Sequence, residues 1–190
     1  MKDYIKDYIL ESLKVKESIY NNESLIADIN KAVEIIVNAY KNNKKVLVAG
    51  NGGSAADAQH FSAELVSKFL KDRPALNSIA LTTNTSIITA VGNDYSHEYV
   101  FARQIQAYGV QNDVYLAIST SGNSKNIVRS LEEAKKMGLK TIGLTGKNPC
   151  EMDKLCDLVI KVPSARTPII QESHLMLVHL ICALVEKELG

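Results

Sequence analysis

The sequence predicts an α/β fold in which a five-stranded parallel sheet is flanked by helices in a doubly wound arrangement. Several short apolar runs lead directly into glycine-rich or hydroxyl-rich loops, as buried parallel strands do. Stretches with helical periodicity separate these runs. This alternation of strand and helix signals is typical of a parallel sheet that is covered by helices on both faces.

The predicted elements begin with two amphipathic helices before residue 42, where apolar residues recur every three to four positions. Further helices are predicted at 54–70, at 124–137, where Gly138 stops the helix, and at about 171–188. The predicted strands are the five apolar bursts at 46–49, 78–81, 114–118, 141–144 and 158–160.

The 190 residues are predicted to form one domain, with residues 1–42 as a helical extension that packs on it. The last helix is apolar on too many faces to stand in water. Together with the N-terminal helical pair, it is therefore expected to contact other subunits. Its longest apolar run, 175–185, is interrupted by His179 and is too short to span a bilayer, so a buried helix is predicted.

The composition excludes several classes of protein. With 46% hydrophobic and 23% charged residues, the chain is neither disordered nor collagen-like. Its 22 basic and 21 acidic residues leave a net charge of +1, which argues against broad binding to nucleic acid or to an anionic membrane. Three cysteines without a C-x-x-C pair, and an N-terminus without the apolar stretch of a signal peptide, favour a reduced, cytoplasmic setting.

A loop rich in hydroxyl groups follows the third predicted strand. It contains Ser119, Thr120, Ser121 and Ser124, and a helix is predicted to begin directly after it. Hydroxyl donors, free backbone N–H groups and the partial positive charge of a helix start together favour a phosphate site. Serines in such a turn could also simply cap the helix. The chain has no P-loop motif, so a nucleoside triphosphatase is not expected.

The loop after the first predicted strand formally matches the G-x-G-x-x-A dinucleotide fingerprint at residues 50–55. The acidic residue that would hold a ribose is missing, because Leu81 at the end of the next strand is followed by threonines and asparagine. A nicotinamide enzyme is therefore not favoured. We interpret the loop as a glycine turn that lets the backbone approach a small ligand, with Asn51 and Ser54 as polar contacts.

Two pairs of side chains on predicted helices could bind a metal ion. His60 and Glu64 are four residues apart, which places both on one helix face, although an exposed pair of this kind is common without a metal. Gln171 and His179 lie eight residues apart on the last helix, and His179 could equally be an ordinary core residue. Two nitrogens, a carboxylate and an amide oxygen would suit Zn²⁺, but spacing does not establish that the two helices meet.

Three other features carry weaker signals. His97 and His174 have no comparable context and are interpreted as structural residues. The stretch Asn93-Asp94 is a turn signal, and by itself it indicates no more than a turn.

The chain resembles the phosphoheptose isomerase family of the SIS, or sugar isomerase, fold along essentially its whole length. The resemblance rests on the stretches 50–61 with Glu64, 92–94, 119–124, 144–147 and 171–174 with His179, which occur in the expected order. It implies a flavodoxin-like sheet in a cytoplasmic homotetramer. It also implies conversion of D-sedoheptulose 7-phosphate into D-glycero-D-manno-heptose 7-phosphate for the heptose of bacterial lipopolysaccharide or capsule.

The resemblance further implies roles for individual residues. Phosphate would be bound by Ser119, Thr120, Ser121 and Ser124. Other substrate contacts would come from Asn51, Gly52, Gly53, Ser54, Glu64, Asn93, Asp94 and Gln171. One Zn²⁺ per subunit would be held by His60, Glu64, Gln171 and His179. Glu64 and His179 would also be the catalytic proton-transfer pair of an enediol mechanism, so their two roles must be compatible or alternate.

Two positions depart from the family pattern, and two other functions compete with the isomerase. Ile169 stands where many relatives have an arginine, which bears on substrate detail and could indicate a related heptose phosphate. Lys68 stands where arginine is common. The alternatives are a non-catalytic SIS-fold protein that binds a replication initiator, and a sugar-phosphate sensor. The presence of both Glu64 and His179 favours the enzyme.

Overall fold

The computed structural model describes residues 1–190 and contains the five predicted strands in one parallel sheet. The strand order is β2-β1-β3-β4-β5, which is the flavodoxin-like order and confirms the predicted doubly wound architecture. The strands are β1 Val46–Gly50, β2 Ser78–Ala80, β3 Val114–Ile118, β4 Lys140–Gly146 and β5 Leu158–Val162.

Eight α-helices and one 3₁₀ turn, His97–Tyr99, surround the sheet. Two of these helices precede β1, as predicted. The helices are α1 Lys2–Tyr20, α2 Glu23–Lys41, α3 Gly53–Val66, α4 Thr85–Asp94, α5 Ala102–Tyr108, α6 Lys125–Lys136, α7 Met152–Leu155 and α8 Thr167–Leu189.

Two predicted helix boundaries and one predicted turn were wrong. α3 ends at Val66 rather than at residue 70, because residues 67–77 turn back without regular structure to reach β2. α8 begins at Thr167, four residues earlier than predicted, with Pro168 in its first turn, where a missing N–H costs nothing. Asn93 and Asp94 are not a separate turn but the last two residues of α4.

The strand side chains alternate between two apolar layers, as the period of a β-strand requires. Val46 and Val48 pack on the face covered by α2, α3 and α8. Leu47 and Tyr115 pack on the opposite face, which is covered by α5 and α6. All five residues of β1 and of β3 are buried, which explains why these strands read as continuous apolar runs rather than alternating ones.

Local capping explains several helix ends. The Asn22 side chain accepts a hydrogen bond from the backbone N–H of Leu25 at 3.0 Å, and Asn84 does the same for Ile87 at 3.0 Å. α6 ends as predicted just before Gly138, whose φ of +73° is the left-handed conformation that glycine adopts at helix ends.

α8 is long and apolar enough, by length and composition, to cross a membrane. Its most apolar 18-residue window has a mean hydropathy of 1.5, but half of that window is buried inside the fold. This corrects the expectation that its apolar run is too short for a span. The helix packs against α2 and α3, as a core helix does, so the evidence for a membrane span is weak.

We expect the buried His174 to make the protein less stable in mild acid. Burial lowers the pKa of His174 from 6.5 to about 4, although a hydrogen bond to the carbonyl of Thr145 acts in the opposite direction. The unfolded chain therefore binds a proton between pH 6.5 and pH 4 that the folded chain does not. At about 1.4 kcal/mol per pKa unit, this costs about 3 kcal/mol of unfolding free energy by pH 4.

Urea unfolding at pH 7 and at pH 4 measures this loss. The control is His174→Gln, which keeps a donor for Thr145 but cannot titrate. The wild-type protein should lose about 3 kcal/mol more than the variant, and equal losses in the two proteins would show that His174 is not the group responsible.

Candidate active site

The candidate site lies where the strand order reverses. β1 and β3 are neighbours in the sheet, and Gly50 at the end of β1 is paired with Ile118 at the end of β3. The chain leaves these two strands in opposite directions, so the loops after them border a crevice at the carboxyl edge of the sheet. The two loops are those that the sequence singled out, 50–54 and 119–124.

Glycines shape the loop after β1. A Cβ at Gly50 would lie 2.3 Å from the backbone oxygen of Ser54, so only glycine lets the chain close on itself there. Gly52, with φ +56° and ψ −123°, precedes the first turn of α3 in a conformation that side chains rarely adopt. Asn51 is fixed beside it by two reciprocal amide hydrogen bonds with Asn126, each 2.8 Å long.

The hydroxyl groups of the loop after β3 converge. The Ser119 Oγ lies 3.2 Å from the Ser124 Oγ and 3.5 Å from the Ser121 Oγ. Gly122, with φ +65°, makes the turn, and its N–H donates to the Ser119 Oγ at 3.2 Å. The N–H groups of Lys125 and Asn126, the first two of α6, make no hydrogen bond within the chain, as is usual at a helix start. The loop thus offers clustered hydroxyls beside free backbone donors.

His60, Glu64 and His179 meet in one cluster, as the zinc prediction required. The His60 Nε2 lies 3.0 Å from the Glu64 Oε1 and 2.9 Å from the His179 Nε2. The three possible ligand atoms all lie within 4.8 Å of one another. This convergence rules out the interpretation of His60 and Glu64 as an isolated pair on a helix surface.

The cluster fits a metal ion in its donor chemistry. Two imidazole nitrogens and one carboxylate are ligands that Zn²⁺ accepts, and a tetrahedral zinc site separates its ligand atoms by about 3.3 Å. The two spacings from the His60 Nε2, 3.0 Å and 2.9 Å, are close to this value, and all three ligand atoms lie within 4.8 Å of one another. Asp57 lies one turn before His60, and its buried Oδ2 has no hydrogen-bond partner, so a nearby cation would compensate a carboxylate that is otherwise left alone.

The Gln171 side chain lies against the start of α3. A Cβ at Gly53 would lie 1.6 Å from the Gln171 Nε2, so the amide occupies the space that the glycine leaves open. Gln171 and His179 are about 12 Å apart along α8, two helical turns, so their side chains must reach toward each other to share one ion. The position of Gln171 beside Gly53 supports a place at the substrate loop, and its role as a fourth ligand stays a prediction.

Asn93 and Asp94 are exposed and bond to each other, with the Asn93 amide donating to the Asp94 carboxylate at 2.8 Å. Neither side chain bonds to the loops of the site in this chain. Ile169, which the resemblance marks as a departure from the family pattern, lies on α8 and is fully buried in the apolar layer. The side chain of Lys68 is exposed and makes no ion pair.

Sequence reasoning missed three residues at the site. Burial raises the pKa of Asp57 to about 6, and the neighbouring His60 opposes this rise. Asn126 joins Asn51 to His97, whose Nε2 lies 3.2 Å from the Asn126 amide nitrogen. His97 is therefore connected to the substrate loop rather than being an isolated structural residue. An acid on the buried face of α3 was a usable signal for Asp57, whereas no local pattern marks Asn126 or His97.

Comparison with known proteins gives the same assignment as the geometry. The SIS domain profile matches residues 7–146. The chain is 55% identical to phosphoheptose isomerase 2 of Campylobacter jejuni, over all of this chain and 94% of that protein. It is 54% identical to phosphoheptose isomerase of Aneurinibacillus thermoaerophilus, over 98% of this chain and 94% of that one.

A solved phosphoheptose isomerase from Francisella tularensis superposes with a TM-score of 0.94 at 38% identity, and the match covers 97% of each chain. The family match rests on similarity over the full length of the chain in both sequence and fold. The chain therefore belongs to the phosphoheptose isomerase family of SIS-domain proteins.

Proposed function

We propose that the protein is an aldose-ketose isomerase that converts D-sedoheptulose 7-phosphate into D-glycero-D-manno-heptose 7-phosphate. The observation that carries this proposal is the meeting of Glu64 with His179, which lie on helices more than 100 residues apart. The helix of Glu64 begins at the same edge of the sheet as the hydroxyl-rich loop. The names of the relatives support the substrate class, a phosphorylated seven-carbon sugar.

The reaction needs two proton transfers on neighbouring carbons. A base removes a C1 proton beside the C2 carbonyl, and negative charge builds up on O2 in an enediolate. O2 takes up a proton as the O1 hydroxyl loses one, and a proton is returned to C2. We assign these transfers to the Glu64 carboxylate and the His179 imidazole, which are the catalytic pair. Positioned acid and base groups of this kind contribute about 10² to 10⁴ in rate.

The phosphate end of the sugar anchors the substrate away from the reacting carbons. We assign it to Ser119, Thr120, Ser121 and Ser124, with the free N–H groups at the start of α6 as further donors. The loop 51–54, with Asn93 and Asp94, would contact the sugar chain between the phosphate and the catalytic pair. Binding energy from the phosphate can then orient C1 and C2 without taking part in the chemistry.

We propose one Zn²⁺ per subunit, held by His60, Glu64 and His179 with Gln171 as the fourth ligand. When bound, zinc would polarise the carbonyl as a Lewis acid and stabilise the negative charge that develops on its oxygen. The chain's own residues retain the proton transfers. This assignment requires Glu64 and His179 to combine or alternate their two roles.

The first helix exposes an apolar face that bears on how subunits assemble. α1 leaves Tyr4, Ile5, Ile9 and Leu13 more than half exposed, an apolar face that a neighbouring subunit could cover. This supports the expected homotetramer with contacts through the N-terminal helices and α8.

We further propose that residues 1–190 work as one SIS domain in the cytoplasm, without nucleic-acid or membrane partners. The pathway would be heptose synthesis for lipopolysaccharide or capsule. Binding of a replication initiator is not favoured, because the acid-base pair is complete.

Replacing either member of the catalytic pair should abolish isomerisation. We expect Glu64→Gln and His179→Gln each to lower kcat by at least about 10² to 10⁴, because each removes one positioned proton-transfer group. NMR in D₂O measures both product formation and exchange of the substrate proton. The control is Gln59→Ala on the exposed face of α3. Full turnover in either variant would refute the assignment.

The hydroxyl loop should determine substrate affinity rather than the chemical step. We expect Ser121→Ala to raise KM by about 10-fold to 100-fold with little change in kcat, because one hydrogen bond to a charged phosphate contributes about 1.5 to 3 kcal/mol. Steady-state kinetics and competitive inhibition by inorganic phosphate measure this effect. Ser24→Ala, on the exposed surface of α2, is the control. An unchanged KM and phosphate inhibition constant would place the phosphate elsewhere.

Gly53→Ala should impair activity through Gln171. The new methyl group would overlap the Gln171 amide, which is the flexible end of a side chain and can move away, so we expect the melting temperature to change little. The displaced amide should lower kcat/KM about as much as Gln171→Ala does. The double variant should lose no more than either single variant, since both disturb one contact. Additive losses would show that the two residues act independently.

A further inference from the structure

Phe69 covers one face of the His179 ring. Its ring centroid lies 5.8 Å from that of His179 with an angle of 23° between the planes, within the range of offset stacking. The edge of the His60 ring lies on another side of His179, with centroids 4.9 Å apart and planes at 70°. The imidazole proposed to move a proton is therefore held between two other rings.

This stacking replaces the usual way of orienting a metal-binding histidine. Such a residue commonly donates its second ring N–H to a carboxylate or a carbonyl, which fixes the plane of the ring. The only hydrogen-bonding contact of His179 within the chain is the one from its Nε2 to His60. The plane of the His179 ring is therefore set by contacts with Phe69 and His60, and Phe69 is the one that packs on the ring face.

Phe69 lies on the irregular segment 67–77, and the carboxylate of Glu186 on α8 fixes this part of it. Glu186 accepts three consecutive backbone N–H groups, from Phe69 at 3.0 Å, Leu70 at 2.7 Å and Lys71 at 3.0 Å. Consecutive N–H groups that point at one anion form a nest. Burial alone would raise the pKa of Glu186, but these donors and the charge of Arg73 outweigh it and hold the pKa below its ordinary value.

Arg73 connects the same carboxylate to the end of α3. Its Nε lies 3.2 Å from the Glu186 Oε1, and the two side chains are only 4% and 2% exposed. Its other nitrogens donate to the backbone carbonyls of Leu65 at 2.8 Å and Glu64 at 2.9 Å. These carbonyls belong to the last turn of α3 and have no partner within the helix. One buried ion pair therefore holds the backbone of Glu64 and the segment that packs on His179.

We propose that Phe69 is a positioning residue that sets the plane of the His179 imidazole, and that the Glu186–Arg73 pair is the clamp that keeps Phe69 in place. Phe69, Glu186 and Arg73 do not touch the reacting carbons in this assignment. The proposal rests on the proposed isomerase function for its kinetic consequence. Its effect on metal affinity depends only on the geometry of the cluster.

Phe69→Ala tests the positioning role in the intact protein. We expect kcat to fall about 10-fold to 100-fold with KM nearly unchanged, because the hydroxyl loop that holds phosphate is separate from Phe69. Affinity for Co²⁺, measured by competition with a chromophoric chelator, should fall about 10-fold to 100-fold, as when an orienting partner of a ligand is lost. Phe69→Tyr should retain both properties. Leu70→Ala, at a side chain that is 74% exposed, is the matched control.

Unchanged kcat and Co²⁺ affinity in Phe69→Ala, or equal losses in Leu70→Ala, would overturn the positioning role. A wild-type protein that turned over no heptose phosphate would refute the isomerase proposal alone, since the Co²⁺ comparison still decides the role of Phe69.

Amide hydrogen exchange tests the clamp independently of metal and turnover. In the wild-type protein the N–H groups of residues 69–71 should exchange slowly, because Glu186 binds them. In Glu186→Gln they should exchange at least about 10-fold faster while β1 and β3 remain protected, since a neutral amide presents one acceptor oxygen in place of two. Slow exchange at 69–71 in the variant would overturn the clamp. If the variant does not fold, the same measurement on Glu186→Asp decides the question in the same way, because the shorter side chain sets the carboxylate back from the three N–H groups.

Discussion

The parallel packing of α3 along α8 is the constraint on which the candidate site depends. At the start of the two helices, Gly53 accommodates the amide of Gln171, and in the middle of α3 His60 meets His179. At its end, the buried Arg73–Glu186 pair joins the last turn of α3 to the last turns of α8. Because the helices run in the same direction, one register aligns the glycine loop, the possible metal ligands and the proposed proton-transfer pair at once. A shift of one helical turn would separate them all.

The sheet supplies the second requirement, a fixed place for an anion. β1 and β3 are fully buried neighbours, so rigid strands hold the loops that follow them, in addition to the loops' own hydrogen bonds. Glycines permit the two tight turns, and the Asn51–Asn126 amide pair joins one loop to the helix that starts after the other. The proposed phosphate site thus consists of hydroxyl and backbone donors without a P-loop lysine.

The strands were predicted to within a few residues, because each is a short apolar run bounded by polar or glycine-rich segments. The helices were predicted less well where tertiary contacts override local preference. The apolar pattern of α3 continues past Val66, yet the chain leaves the helix there because Arg73 caps its last carbonyls and Glu186 binds the following N–H groups. Asn93 and Asp94 carry a turn signal, yet they complete the last turn of α4.

The sequence by itself determined the fold class, the two loops at the sheet edge and the placement of His60 and Glu64 on one helix face, because each follows from the spacing of nearby residues. Only the tertiary structure decided that His179 meets them, that Asp57 is buried without a partner and that Phe69 stacks on the His179 imidazole. Local periodicity reports which face of a helix is apolar, but the axial register between two helices distant in the chain depends on the packing of the whole core.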